Sequence, residues 1–482
     1  MMMMIKSAVV FAGVVGVLAC VLLAQPAAAF HRRIYGVHEN MHAAPGADVG
    51  EPLLVSNVRE RYGVEAAQGA AKVNGIGNYT SYAGFYTVNK TTDNNLFVWY
   101  FPSQDNNPDA PLLIWLQGGP GGASTFGLFS EIGPFHVDEN MKLHERDTTW
   151  NSNYSLLFID NPVGAGYSYT GTGKGYATNT REDVARDLYA CLTEFYATFP
   201  DQAKVDLYLT GESFAGHYIP AFAAYIHRKN AASSDASKIP LKGVSIGDGW
   251  TDPVVQMQAI PGLMFNLGLA DHNQRDVLQQ YTDQTVKAIN NGNYTLAFDI
   301  WDEMLNGDVY KYPTYFYNLT GTLDYDNFLR TISPASFGYY SKFISQDWVR
   351  KAIHVGNATL NSGLECELHL IPDVMVSYKP ELALVMDNYK VLMYNGQLDL
   401  IVGVPLTERY LPTIPWSGAK KFNSADRVVW KVKKSDTEVA GYVRAAQDFR
   451  YVVVRVAGHI APYDQGRAVK DMVTRFIEDK PF

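Results

Sequence analysis

Gly211-Glu212-Ser213-Phe214-Ala215-Gly216 is the stretch on which the reading of this chain turns. Val205-Asp206-Leu207-Tyr208-Leu209 comes before it and reads as a buried strand. Residues 218–226 come after it and are apolar in a helical pattern. A strand, a tight turn of small residues around a serine, then a helix is the shape of a nucleophile elbow. Such a turn holds the serine in a strained backbone conformation with its hydroxyl exposed. It needs small neighbours because strand and helix pass close together. The common G-x-S-x-G pattern is missed by one position: Ala215 stands where the second glycine belongs, and Gly216 follows. Alanine keeps the steric logic.

Working outward, further strands flank this one. Leu112-Leu113-Ile114-Trp115-Leu116, Leu156-Leu157-Phe158-Ile159-Asp160, residues 241–246, 389–394 and 451–456 are short apolar runs. Their continuous apolar character predicts burial on both faces, as in a parallel sheet. Residues 81–88 and 96–101 read as paired aromatic strands. Thr180 is expected to cap a helix with Asp183 at its third position. Val184, Leu188, Cys191, Leu192, Phe195 and Phe199 follow at helical spacing until Pro200 stops it. A last helix is expected over 465–477. Strands alternating with helices predict a mostly parallel sheet with crossovers. From 251 to 372 the rhythm becomes helical and aromatic, which predicts an insertion capping the active end of the sheet. The expected organisation is 1–29 signal peptide, 30–75 N-terminal arm, 76–250 first part of the core, 251–372 helical cap and 373–482 second part of the core.

Three of these strands end in residues that make chemistry together. Ser213 follows one, Asp399 ends Asn395-Gly396-Gln397-Leu398-Asp399, and His459 sits in Ala457-Gly458-His459. That is the chain order of the α/β-hydrolase triad. In open α/β sheets the site lies beyond the carboxyl ends of the strands, where all three fall. A serine hydroxyl needs a base to take its proton. Histidine is that base and returns the proton to the leaving group. Aspartate orients the imidazole and stabilises its cation. Taken singly, the histidine reads as a packed or surface residue and the aspartate as a turn residue; three correct types at three strand ends in order outweigh that. Gln117-Gly118-Gly119-Pro120-Gly121-Gly122 ends another strand and reads as an oxyanion loop, with a structural Gly-Pro turn as the plainer reading. Neither phosphate-loop pattern fits it.

At 482 residues the chain can bury a large core, and 47% hydrophobic residues is a globular composition. A net charge of −9 argues against a nucleic-acid partner. Lys6, an apolar run over 8–24 and Ala27-Ala28-Ala29 form a secretory leader, cleaved to leave Phe30 first. An uncleaved anchor is the rival reading, disfavoured by Pro26 and the alanine triplet. No later segment is apolar enough to span a bilayer, so no stable membrane insertion is expected after cleavage. Six N-x-S/T sequons, at Asn78, Asn89, Asn153, Asn293, Asn318 and Asn357, agree with secretion as a set. The cysteines are Cys20, Cys191 and Cys366, and Cys20 leaves with the leader. Cys191 and Cys366 are left either to pair or to stand as buried thiols. No cysteine cluster suggests a metal, and nothing calls for a cofactor.

The sequence resembles the serine carboxypeptidases. The residues that carry the resemblance are WLQGGPGGAS at 115–124, IDNPVGAGYSY at 159–169, GESFAGHYIPA at 211–221, IGDGWTDP at 246–253, NGQLDLIVG at 395–403 and GHIAPYDQ at 458–465. Gln117, the IGDG turn and KSDTEVAGYVR at 434–444 look most like the vitellogenic type. The resemblance covers about residue 81 to the end. It implies an α/β-hydrolase fold with a helical cap insertion, and an exopeptidase that acts on peptide and protein C-termini at acidic pH. It implies Ser213 as nucleophile, His459 as base and Asp399 as orienter, with backbone N–H groups of Gly119 and Phe214 as oxyanion hole. It also implies that Gln117, Gly118, Glu131 and Glu212 receive the substrate carboxylate. Two adjacent carboxyls share a proton, and a protonated glutamate can donate to that carboxylate. Two departures stand out. Gln117 replaces the asparagine of many members, and one disulfide at most is available where the family is usually rich in them. An acyltransferase or an esterase on the same scaffold, and a non-catalytic secreted protein, are the alternatives. A secretory destination is expected, lysosomal, vacuolar or extracellular, with monomer and homodimer both open.

Overall fold

Alternate residues of the central strands point to opposite cores, which is why their sequences are apolar throughout. Leu112, Ile114 and Leu116 enter one cluster, and Leu113 and Trp115 the other. The computed structural model describes residues 35–482 apart from 38, 235, 236 and 310–312. The leader expected over 1–29 lies outside the described residues.

An 11-stranded sheet forms the centre. Its main strands are β1 (Tyr82–Asn89), β2 (Asn94–Phe101), β3 (Leu112–Leu116), β4 (Ser155–Ile159), β5 (Leu207–Glu212), β6 (Leu241–Gly247), β7 (Lys390–Gly396), β8 (Val428–Trp430), β9 (Gly441–Ala446) and β10 (Phe449–Val454). They lie in the order β1-β2-β4-β3-β5-β6-β7-β10-β9-β8, with Tyr169–Thr170 pairing off β2. Every pairing from β4 through β3, β5, β6 and β7 to β10 is parallel, and the strands outside that block pair antiparallel. This is a mostly parallel sheet flanked by helices, the α/β-hydrolase architecture. One face is covered by helices Ala185–Thr198 and Ala215–Ala231, through Leu188, Leu192, Phe195, Ile219, Phe222 and Ile226. The other is covered by Gly466–Ile477, through Val469, Met472, Val473 and Phe476.

Three local expectations need correction. The helix after β4 is capped by Asn179, not Thr180: its side chain accepts the Glu182 N–H at 2.8 Å. The Thr180 N–H is drawn instead to the buried Asp373 carboxylate at 2.9 Å, and a π-turn over Thr180–Val184 precedes the α-helix. The arm is also more than a lead-in. It carries α1 (Val55–Tyr62) and α2 (Val64–Ala71), and bridges at Leu54↔Phe85 and Lys72↔Tyr82 tie it to β1. Eight-residue helices are too short for a legible apolar period. Finally, the expected end of the insertion at 372 falls inside helix Leu364–Val374, which runs through Pro372.

The insertion is helical, led by His272–Asn290 with an Asp271/Gln274 capping box. Its loop 324–330 is stitched to the core. Leu400 N–H donates to Tyr325 O at 3.0 Å, Phe328 N–H to Leu398 O at 3.0 Å and His459 N–H to Asp326 O at 2.6 Å. Among the sequons, Asn78, Asn153, Asn293, Asn318 and Asn357 are exposed and Asn89 is half-buried. No helix among the described residues is long and apolar enough to cross a membrane.

Cys191 and Cys366 are both buried and free, so the disulfide left open by the sequence is absent. Cys191 packs under the helix on the sheet face, while Cys366 sits beside Gly121 and Gly164 at the active edge. Burial raises both thiols well above their ordinary range. In protein lacking residues 1–29, we expect no thiol to react with an aromatic disulfide reagent in the native state. Two should react after denaturation without reductant; zero after denaturation would show a bridge.

Candidate active site

The turn after β5 is fixed by its backbone. Ser213 has φ +60°, a region that costs a side chain energy unless its surroundings hold it. Its N–H donates to Gly247 O at 2.9 Å, and its carbonyl accepts from Gly216 at 2.9 Å and Trp250 at 3.0 Å. Those bonds draw the β6 end against the turn. A Cβ on Gly216 would lie 2.6 Å from Trp250 O, which is why glycine follows Ala215. A Cβ on Gly211 would meet Leu116 O at 2.2 Å and the Ala215 Cβ at 2.9 Å. The glycine loop presses on the turn from the other side. A Cβ on Gly118 would lie 2.5 Å from the Ser213 Cβ and 2.6 Å from the Phe214 nitrogen. Gly119 has φ +122° and precedes a cis proline.

β6, β7 and β10 bring the other residues to the same edge. His459 Nδ1 lies 2.8 Å from Asp399 Oδ2, both side chains fully buried, and Asp399 Oδ1 accepts the Val402 N–H at 3.1 Å. The histidine loop is held from three sides. Gly458 N–H donates to Asp464 at 2.7 Å, Asp464 also receives Asn327 at 3.0 Å and pairs with Arg330, and Asp326 O takes the His459 N–H. Sequence reasoning missed these insertion residues, because contacts across 130 positions leave no local signal.

Gln117, Glu131 and Glu212 come together as a buried cluster. The Gln117 amide donates to Glu212 at 2.7 Å and to Glu131 at 3.2 Å. Its carbonyl accepts the Trp115 indole N–H at 2.8 Å, so the amide nitrogen must face the two glutamates. Burial first, then the Glu131 charge, pushes Glu212 well above the usual carboxylate range. Burial raises Glu131 to about 7, against hydrogen bonds from Glu212 and Gln117 and the charges of Arg146 and His459. With both glutamates ionised, Oε2 of each would be buried without a donor, whereas a proton on one makes each carboxyl the other's partner.

One residue of the arm enters the site unannounced. Tyr35 is buried with its ring edge-on to Phe126 at 5.2 Å and close against Gly122. Its carbonyl accepts the Tyr340 hydroxyl at 2.8 Å. Its own hydroxyl faces Ser213, with Glu212, Asp326 and Glu131 around it; burial and then the Glu212 charge raise it well above the usual tyrosine range. A lone tyrosine in a patternless polar stretch gave the sequence reading nothing to seize.

Comparison with known proteins matches this arrangement to a family. Residues 72–479 match the family model described as serine carboxypeptidase. The chain is 46% identical over 447 residues to the human probable serine carboxypeptidase CPVL, covering 92% of this chain and 93% of that protein. It is 41% identical to the venom serine carboxypeptidase of Apis mellifera, covering 90% of this chain and 92% of that protein. It is 35% identical to the vitellogenic carboxypeptidase of Aedes aegypti, covering 90% of this chain and 91% of that protein. Among solved structures, the prohormone-processing carboxypeptidase Kex1 of Saccharomyces cerevisiae superposes with a TM-score of 0.72 at 25% identity, over 86% of this chain and 96% of that one. With a matching model over most of its length and relatives this similar, the chain belongs to the serine carboxypeptidase family.

Proposed function

We propose that this enzyme removes C-terminal residues at acidic pH through Ser213, His459 and Asp399 and an acyl-enzyme. The observation that carries the reading is the proton-sharing pair Glu131–Glu212 on the Gln117 amide, next to the serine turn. A buried neutral carboxyl beside a nucleophile is costly unless it meets a ligand, and a substrate carboxylate is what an O–H and an amide N–H together receive.

The steps follow from the groups present. The substrate carboxylate sits on Gln117, Gly118, Glu131 and Glu212, which places the last peptide bond at Ser213. His459 takes the Ser213 proton as the oxygen attacks the carbonyl, while Asp399 holds the imidazole through Nδ1 and offsets its charge. The N–H groups of Gly119 and Phe214 receive the oxyanion. His459 then protonates the leaving amine, which departs as the free amino acid. Water, deprotonated by His459, hydrolyses the acyl-enzyme. The leader and the sequons support a secretory route, and relatives named for venom and vitellogenesis agree with it.

Release of the terminal amino acid from an N-blocked dipeptide, followed at pH 5 and pH 7.5, is the direct test. Release that disappears in Ser213→Ala is expected; labelling of Ser213 by a phosphonate without any release would move an esterase or acyltransferase to the front.

Carboxyls with raised pKa values are neutral below them and charged above, so binding of a substrate carboxylate weakens as pH climbs through about 7, the Glu131 value. KM should therefore rise about tenfold between pH 5 and pH 8 for a free-carboxyl dipeptide. It should stay flat for the C-terminal amide, and flat for both substrates when Glu131 and Glu212 are replaced by glutamine. A KM independent of pH in the unsubstituted enzyme would reject the shared-proton site.

A further inference from the structure

A second pair of buried carboxyls lies behind the histidine. Asp248 follows β6 at φ +46°, a conformation aspartate tolerates better than most residues. Its N–H donates to Tyr394 O at 2.7 Å. Its Oδ1 accepts the Gly396 N–H at 2.8 Å and the Asn395 amide at 3.4 Å. Those two donors are the start of the loop that carries Asp399. The Asn395 amide also donates to Val402 O at 2.7 Å, at the other end of that loop. Asp248 thus grips the Asp399 loop with one oxygen, and its other oxygen faces the Asp399 carboxylate. Ligand atoms of Asp248, Asp399 and His459 all lie within 4.8 Å of one another.

Two ionised carboxylates at this range in a fully buried place repel. With both ionised, Asp248 Oδ2 is a buried oxygen without a donor; with a proton on it, Asp399 is its acceptor. The groups facing Asp248 from the neighbouring elements are Asp399, His459, Glu212 on β5, Tyr394 on β7 and Tyr451 on β10. None of the side chains in that set other than His459 can supply positive charge. Burial, then the Asp399 charge, accordingly raises Asp248 well above the carboxylate range. A cation does not suit the three residues, because N–H donors already take Asp248 Oδ1 and both Asp399 oxygens.

We propose that Asp248 is a positioning residue: as a neutral acid it donates a hydrogen bond to the Asp399 carboxylate and fixes that carboxylate toward His459 Nδ1. The proton stays on Asp248 throughout, and no bond to substrate is made. This role rests on the triad assignment above. It adds a fourth member whose work is to keep one negative charge, not two, behind the imidazole.

Asparagine and alanine at position 248 separate this from a purely structural role. Asp248→Asn keeps both the acceptor and a donor, so it should rescue kcat to within about threefold, with the acid limb of kcat/KM unmoved. Asp248→Ala should lose about tenfold or more in kcat at little changed KM, and move the downfield Nδ1–H resonance of His459. If the acid limb of Asp248→Asn moves to lower pH, a negative charge has been removed from behind His459 and Asp248 was ionised; that overturns the proposal. Unaltered kcat in a folded Asp248→Ala overturns it too. If the alanine variant does not fold, the acid limb of Asp248→Asn decides alone. Ser213→Ala runs alongside: activity there would sink the triad reading itself, whereas an inactive Ser213→Ala beside a fully active Asp248→Ala sinks only the role of Asp248.

Discussion

The left-handed backbone at Ser213 is the constraint to which the neighbouring structure conforms. A serine at φ +60° is unfavourable by about 1–3 kcal/mol and persists only where its surroundings over-determine it. Here three backbone hydrogen bonds do so, two from the start of the helix and the β6 loop and one to β6 itself. Their cost in space explains the small residues. Gly211 and Ala215 meet across the turn, Gly216 lies under Trp250, and Gly118 lies against Ser213. The same closeness brings the glycine loop against Ser213 and the Phe214 nitrogen.

Around that turn the protein solves one electrostatic problem twice. Four carboxyls, Glu131, Glu212, Asp248 and Asp399, are buried at one edge of the sheet. Ionising all of them would cost several kcal/mol per charge, even after relaxation. A proton held within each pair avoids that cost, but the partners of the two pairs differ. Gln117 offers N–H donors to both glutamates, and its amide is locked by Trp115, an arrangement that suits the carboxylate-binding role proposed above. In the second pair, His459 and Val402 donate to Asp399 while the Asp399 loop donates to Asp248, so the charge settles on Asp399. One pair meets Gln117 beside the serine turn and the other meets His459.

The central sheet was legible because its strands are continuous apolar runs bounded by turns, and the positions of Ser213, Asp399 and His459 were legible because each follows such a run. What escaped has physical reasons. Asn179 rather than Thr180 caps the helix, its side chain accepting the Glu182 N–H, while Asp373, nearly two hundred positions away, takes the Thr180 N–H. The arm helices are two turns each, below the length at which a period shows. Asp248 lies in the IGDG turn, where the sequence alone marks only a family resemblance. Its function is visible only once β6 and β7 are side by side. Tyr35 is a contact between the first described residue and the turn near the middle of the chain, which no window of sequence contains.

Without a disulfide between Cys191 and Cys366, the insertion is steadied in part by the loop 324–330. Three backbone hydrogen bonds join this loop to residues 398, 400 and 459, on both sides of the Asp399–His459 contact. The Arg330–Asp464 pair, with the Asp464 side chain buried, closes the same corner. A bond between backbones has no side-chain rotamers to order, so it holds position without the entropy a surface ion pair must overcome. The insertion is thus continuous with the histidine loop at this corner and cannot lift away there without releasing His459. Any opening that admits substrate must occur elsewhere on the rim, and the side where Tyr35 and the arm lie over the glycine loop is held by side-chain packing and by hydrogen bonds from Tyr340 and Ser341. Within this fold, His459 is anchored by the insertion while Ser213 is covered by the arm, so the two halves of the candidate site are restrained by different parts of the chain.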